Sequence, residues 1–179
     1  MQKAIAIIVD WYGPYDLPAA REAARKDFGA GSYVAIGRQK YQRSTSIQYI
    51  GISSSNVCQR LNEDHSKLRL ITQDRTIWLG EVASTGISGP KQKRTDFLLD
   101  LVEWAHAFFL ELPLNDRKRL TPPSRAVTVV NRWWGTDFIT PKRKRPRSDW
   151  PIVIDYPGGG YPVRMSWRWD RSTVLSESA

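Results

Sequence analysis

Tyr33, Tyr49, Arg60, Glu103 and Asn115 are the residues of this chain whose types and order suit chemistry on a phosphodiester. Hydrolysing such a bond needs a base for the attacking water, positive charge beside the phosphoryl oxygens, and a proton for the leaving 3′-oxygen. A glutamate such as Glu103 can hold Mg²⁺ (or Mn²⁺), a hard cation that keeps several waters and takes other ligands from phosphate. An arginine such as Arg60 can grip a phosphate through its planar fork. A tyrosine is unreactive at its ordinary pKa near 10, but a neighbouring cation favours its phenolate. Taken singly, each has an ordinary reading. The tyrosines are common strand aromatics, Arg60 and Glu103 are common solvated helix charges, and Asn115 can close a helix.

The elements that must position these residues follow from the pattern. Ile5 to Val9 reads as a buried strand and WYGPYD as a turn, with Asp16 capping a helix that has Pro18 in its first turn. Ser32–Gly37 and Ile47–Ile52 read as two short strands joined by a long polar loop. Asn56 or Ser55 is expected to cap a helix through about Leu68, carrying Arg60 and His65. Thr76 to Val82 is another strand. After the Gly89–Pro90 break, Phe97, Leu98, Leu101, Val102, Ala105, Phe108, Phe109 and Leu112 recur at helical spacing, so a long helix is expected from about Thr95 to Leu112.

Strand, strand, helix, strand, long helix over residues 31–115 resembles the GIY-YIG nuclease superfamily, across about half of the chain. Tyr49-Ile50-Gly51 matches the second signature triplet, and Gly31-Ser32-Tyr33 matches the first with serine for the usual isoleucine. Arg60, Glu103 and Asn115 match the family's helical arginine, metal-binding glutamate and terminal asparagine, the last in a Pro113-Leu114-Asn115 ending. The resemblance implies that Tyr33 or Tyr49 acts as base while the other orients the water or phosphate. Tyr33 is the favoured base, and Gly51 is expected to let the backbone turn close to the substrate. One departure concerns the histidine or tyrosine that members of that family often carry four residues after the arginine. Asp64 holds that place and His65 follows it, so His65 reads either as a catalytic residue or as a helix-end histidine. His106, three residues after Glu103, reads as an exposed helix residue rather than a metal neighbour.

Charge divides the chain. Residues 1–115 carry 14 Lys+Arg against 12 Asp+Glu, whereas residues 116–179 carry 13 against 6. The overall +9 and pI near 9.9 favour a polyanionic partner. Lys142, Arg143, Lys144, Arg145 and Arg147 read as a flexible arm that neutralises DNA phosphates, and Arg164, Arg168 and Arg171 extend its charge. The arm belongs to a small unit rich in Trp133, Trp134, Trp150, Trp167 and Trp169, mostly core residues, with stacking on unpaired bases as the other use of tryptophan.

Cys58 is the only cysteine, which leaves no disulfide framework and no thiolate zinc site. Two-histidine metal clusters, P-loops and nucleophile elbows are absent from the sequence. The apolar run ending at Asp10 is too short for a signal-peptide core, and no segment is long enough to span a membrane. The expectation is therefore a cytoplasmic α+β protein. It has a small three-stranded antiparallel sheet flanked by helices over 31–115, a strand–helix elaboration over 1–30, and a basic β-rich extension over 116–179. Its expected function is Mg²⁺-dependent cleavage of DNA, most simply duplex, in a restriction-like, mobile-element or phage setting. A non-catalytic nucleic-acid-binding protein and a structure-specific repair or junction nuclease are the alternatives. A double-strand cutter with one metal centre per chain would need a homodimer or two visits.

Overall fold

The computed structural model describes residues 5–83, 91–159 and 162–168, with backbone alone for 91–95. The Gly89–Pro90 break, Trp169 and Arg171 lie outside the described residues. The strands and α-helices of the described residues run in the order β1 (Ile5–Tyr15), α1 (Leu17–Asp27), β2 (Gly31–Gln39), β3 (Ser46–Ser53), β4 (Ile71–Val82), α2 (Lys91–Phe109), β5 (Val127–Trp134), β6 (Val153–Tyr156) and β7 (Arg164–Ser166). All seven strands join one curled, mixed sheet in the order β3-β2-β4-β1-β5-β6-β7. Among the described residues only β1 and β5 pair in parallel.

This corrects the expected fold class. There is no small three-stranded sheet flanked by helices, but a largely β protein whose described residues form two α-helices. The reason lies in β1. Ile7 and Val9 are fully buried because β1 has a neighbour on both sides, Val9 pairing with Val82 and Ile5 with Val127. Nor does β1 end in a turn: WYGPY continues the strand through a register shift between Tyr12 and Tyr15. Pro14 is tolerated at that irregularity, where a ladder hydrogen bond is already missing.

The expected helix over 56–68 is also absent. Two 3₁₀ turns, Val57–Gln59 and Leu68–Leu70, stand there instead. Side chains take the backbone groups a helix would need. The Asn56 carboxamide accepts from Cys58 N–H at 3.0 Å, and the His65 ring accepts from Lys67 N–H at 3.1 Å. Such local bonds compete with helix formation.

Alternation along β2 sorts the core into two apolar layers. Val34 and Ile36 face one side with Trp11, Trp78, Trp133, Trp150 and the α2 residues Leu101, Val102 and Ala105. Tyr33 and Ala35 face the other with Leu17, Ala20 and Ala24 of α1 and with Val57, Leu61 and Leu68. Asp16 caps α1 as expected, accepting from Ala19 N–H at 2.7 Å. At the end of α2, Glu111 adopts a left-handed φ of 51° and Leu112 N–H bonds back to the Ala107 carbonyl at 3.1 Å. The chain then turns alongside β3, where Leu114 N–H donates to the Gln48 carbonyl at 3.0 Å.

His106 is not an exposed helix residue. It is 1% exposed, its Nε2 lies 3.1 Å from Asn131 Oδ1, and it packs edge-on to Trp11 and Trp150. Burial depresses its pKa to about 4. No helix among the described residues is long and apolar enough to cross a membrane.

Candidate active site on the β2–β3 edge

Tyr33 pairs with Gly51 and Ala35 with Tyr49 across the antiparallel β2–β3 ladder. Tyr33 and Tyr49 are therefore diagonal neighbours on one face, the arrangement that lets long side chains meet. Their ring centroids are 6.0 Å apart. Gly51 makes the approach possible, since a Cβ there would lie 2.5 Å from Tyr33 Cζ and Oη. The glycine of the Tyr-Ile-Gly triplet is thus buried beneath the Tyr33 ring, which fills the space the sequence reading reserved for substrate.

His65 joins this pair without a helix to carry it. Its Nε2 lies 2.9 Å from the Tyr33 hydroxyl, and its ring centroid lies 5.5 Å from that of Tyr49. The other nitrogen, Nδ1, accepts from Lys67 N–H at 3.1 Å and Leu68 N–H at 3.3 Å. Two donors on Nδ1 require its lone pair, so the neutral ring carries its proton on Nε2 and donates to Tyr33. The Tyr33 proton is then turned away from His65, towards the side where Tyr49 lies.

Burial separates the two tyrosines. Tyr33 is fully buried, and burial pushes its hydroxyl far above the ordinary value, with Tyr49 adding and Arg60 opposing. Tyr49 is only part-buried. Burial raises its pKa as well, followed by the Glu103 charge, while the Tyr33 hydroxyl and Arg60 pull it down. Burial lowers the His65 pKa, and the Arg60 charge lowers it further. Arg60 closes the first 3₁₀ turn, its N–H bonded to the Val57 carbonyl at 2.9 Å, with its side chain exposed. Its charge reaches all three rings.

Glu103 approaches from α2 with its side chain 15% exposed. It pairs with Lys118, which also bonds Asp100 Oδ1 at 2.6 Å. Tyr49, Glu103, Asn115 and Lys118 line one pocket of about 220 Å³, together with the Lys67–Asp116 ion pair. Asn115 does not point into solvent. Its Oδ1 accepts from Ile50 N–H at 3.0 Å and its Nδ2 donates to Ile50 C=O at 2.8 Å, so it clamps the backbone between Tyr49 and Gly51.

Lys118 is the residue that sequence reasoning missed. It lies just past the division at residue 115 drawn from charge, among Arg117 and Arg119, and nothing in the sequence around it marks it. The basic loop is the other surprise, because it is not a flexible arm. Arg145 donates to the carbonyls of Ser148 at 2.6 Å, Trp150 at 3.0 Å and Arg147 at 3.4 Å, and Lys142 N–H donates to Trp133 C=O at 2.8 Å. A guanidinium with several donors can fold a loop around itself. Lys142, Arg143 and Lys144 remain exposed on that frame, and Arg147 bonds Asp149.

No family model matches the chain, and neither a curated protein nor a solved structure is significantly similar to it.

Proposed function

We propose that this protein is a Mg²⁺-dependent DNA endonuclease with a GIY-YIG-type site. The observation that supports this best is the convergence of Tyr33, Tyr49 and His65, with the charges of Arg60 and Glu103 both felt at the two hydroxyls. The three rings come from β2, β3 and a loop, and their centroids lie 5.5 to 6.1 Å from one another.

Tyr49 serves as the proton acceptor for the attacking water, because it is the tyrosine that opens to solvent. Tyr33, held by His65, directs its own proton towards Tyr49 and favours the Tyr49 phenolate. Arg60 grips the scissile phosphate as charge builds on its oxygens. Asn115 fixes the Tyr49–Gly51 backbone through Ile50 and so acts by positioning.

Among the described residues no three His, Cys, Asp or Glu side chains form a metal cluster. A single part-buried carboxylate nonetheless suits Mg²⁺, which binds through one or two carboxylates plus phosphate oxygens. Glu103 already draws a cation, the Lys118 ammonium. Glu103 would therefore hold the ion, which when bound neutralises phosphate charge and acidifies a coordinated water.

The same Lys118 pair also favours a second reading, a nucleic-acid-binding protein that no longer cleaves. Supercoiled plasmid incubated with Mg²⁺, with EDTA, or with the Glu103→Gln variant separates the two. Nicked or linear product that needs both Mg²⁺ and Glu103 supports the nuclease. Salt-sensitive binding to plasmid, flap and branched DNA with no product from any of them supports the second reading.

A further inference from the structure

The basic loop closes over a groove of about 510 Å³ at the β7 end of the sheet. Trp133 and Ile152 line it beside the exposed Lys142 and Lys144, with Trp167 and Arg168 just past β7. Trp167 is 42% exposed, unlike Trp11, Trp78, Trp133 and Trp150 in the core. An indole left open among cations has a use that a packed one does not. Its face can stack on a base, and the cations can neutralise the adjoining phosphates. Trp133 also leaves its buried indole N–H without an acceptor among the described residues.

We infer that this groove binds an unpaired stretch of DNA, with a base stacked on Trp167 and phosphates beside Lys142, Lys144 and Arg168. The inference rests on the reading of DNA as substrate and names its class: DNA that carries a single-stranded segment. A base within duplex has both faces occupied by its neighbours, so an indole can take one only where the strand is open. The Arg145 bonds hold the loop in shape before the ligand arrives, which lowers the ordering cost of binding. The groove is separate from the cleavage site. Tyr49 lies on β3 and Trp167 follows β7, six strand steps away, about 29 Å measured across the strands at roughly 4.8 Å per step. A flap or overhang spans such a distance by placing its open strand in the groove and its duplex portion at the tyrosines.

Fluorescein-labelled dT20, a 20-base-pair blunt duplex and the same duplex with a 12-nucleotide overhang are titrated with protein in EDTA, so that cleavage plays no part. Tight binding of dT20 and of the overhang duplex is expected, with blunt duplex weaker. Trp167→Ala should weaken dT20 binding roughly tenfold or more while Trp167→Phe largely restores it. Lys142→Ala and Lys144→Ala should each reduce the salt slope for dT20 by about 0.7. A melting curve confirms that each variant is folded. The inference is overturned if folded Trp167→Ala binds dT20 like the parent, or if it loses blunt duplex equally. Failure of plasmid cleavage would count against the nuclease alone, because this binding is read without it.

Discussion

The Tyr33 hydroxyl sits 2.9 Å from His65 Nε2, while Nδ1 of the same ring accepts two backbone N–H groups. The imidazole is thereby fixed as a donor, and the part it can play is to orient Tyr33 rather than to take a proton. His65 reaches this place from an irregular loop.

A fixed donor predicts the shape of the pH–rate profile. Tyr49 has a pKa raised above 10, so below it each pH unit gains nearly tenfold in phenolate, and cleavage should still be climbing at pH 9. His65 has a lowered pKa and stays neutral above about 6.5, so no break is expected there. Tyr49→Phe should cost about 10²–10⁴ in rate, and His65→Ala up to about 100-fold through a misplaced Tyr33. A break below pH 6.5 that vanishes in His65→Ala would show the ring taking a proton and sink the fixed-donor assignment.

Gly51→Ala tests whether the glycine serves the tyrosine. The added Cβ would lie 2.5 Å from the Tyr33 ring and hydroxyl, within a packed layer that cannot simply open. A loss of about 1–3 kcal/mol in urea unfolding is expected. In a Tyr33→Ala background the clash has no partner, so the two changes should be far from additive. Equal penalties in both backgrounds would place the constraint in the strand backbone instead.

The two helices and the strands β2 and β3 were legible because their signals are local. Asp16 and Pro18 announce α1, a short apolar run marks β2, alternation marks β3, and the apolar stripe marks α2. The place of β1 was not legible. Its pairing partners are far along the chain, Tyr15 with Ile77 and Ile5 with Val127, and the run IAIIV looks the same at an edge or in the centre of a sheet. The 56–68 segment misled for the opposite reason, because Asn56 and His65 bond to nearby backbone in a way that helical spacing does not reveal. The order of Tyr33, Tyr49, Arg60, Glu103 and Asn115 was enough to expect a meeting place. It was silent on Lys118, on the Arg145 frame, and on Asn115 acting through Ile50.

His106 should make the fold acid-sensitive. Its pKa is about 4 when buried against about 6.5 in the unfolded chain, so between those values the unfolded state binds the extra proton. Stability supplied by neutral His106 is complete above about 6.5 and is lost as pH falls towards 4. The loss is about 2 kcal/mol between pH 7 and 4.5. Urea midpoints at both pH values, compared with a folded His106→Gln variant, check this, since the variant lacks the titration. Parallel pH dependence in the two proteins would assign the acid sensitivity to carboxylates.

Lys118 occupies the position of a counter-ion, bonded to both Asp100 and Glu103. A divalent cation arriving at Glu103 must displace that ammonium or share the carboxylate with it. Lys118→Gln removes the competing charge and leaves a polar side chain one atom shorter. Its half-saturating Mg²⁺ for cleavage should fall several-fold. Mg²⁺ should also raise the melting temperature of the variant more than that of the parent, because a ligand stabilises in proportion to the logarithm of its occupancy ratio. If Lys118 instead contacts the phosphate, the same variant would weaken DNA binding and leave the Mg²⁺ requirement where it was. The melting experiment needs no DNA, so it separates a competitor for the metal from a ligand for the substrate even when cleavage is slow.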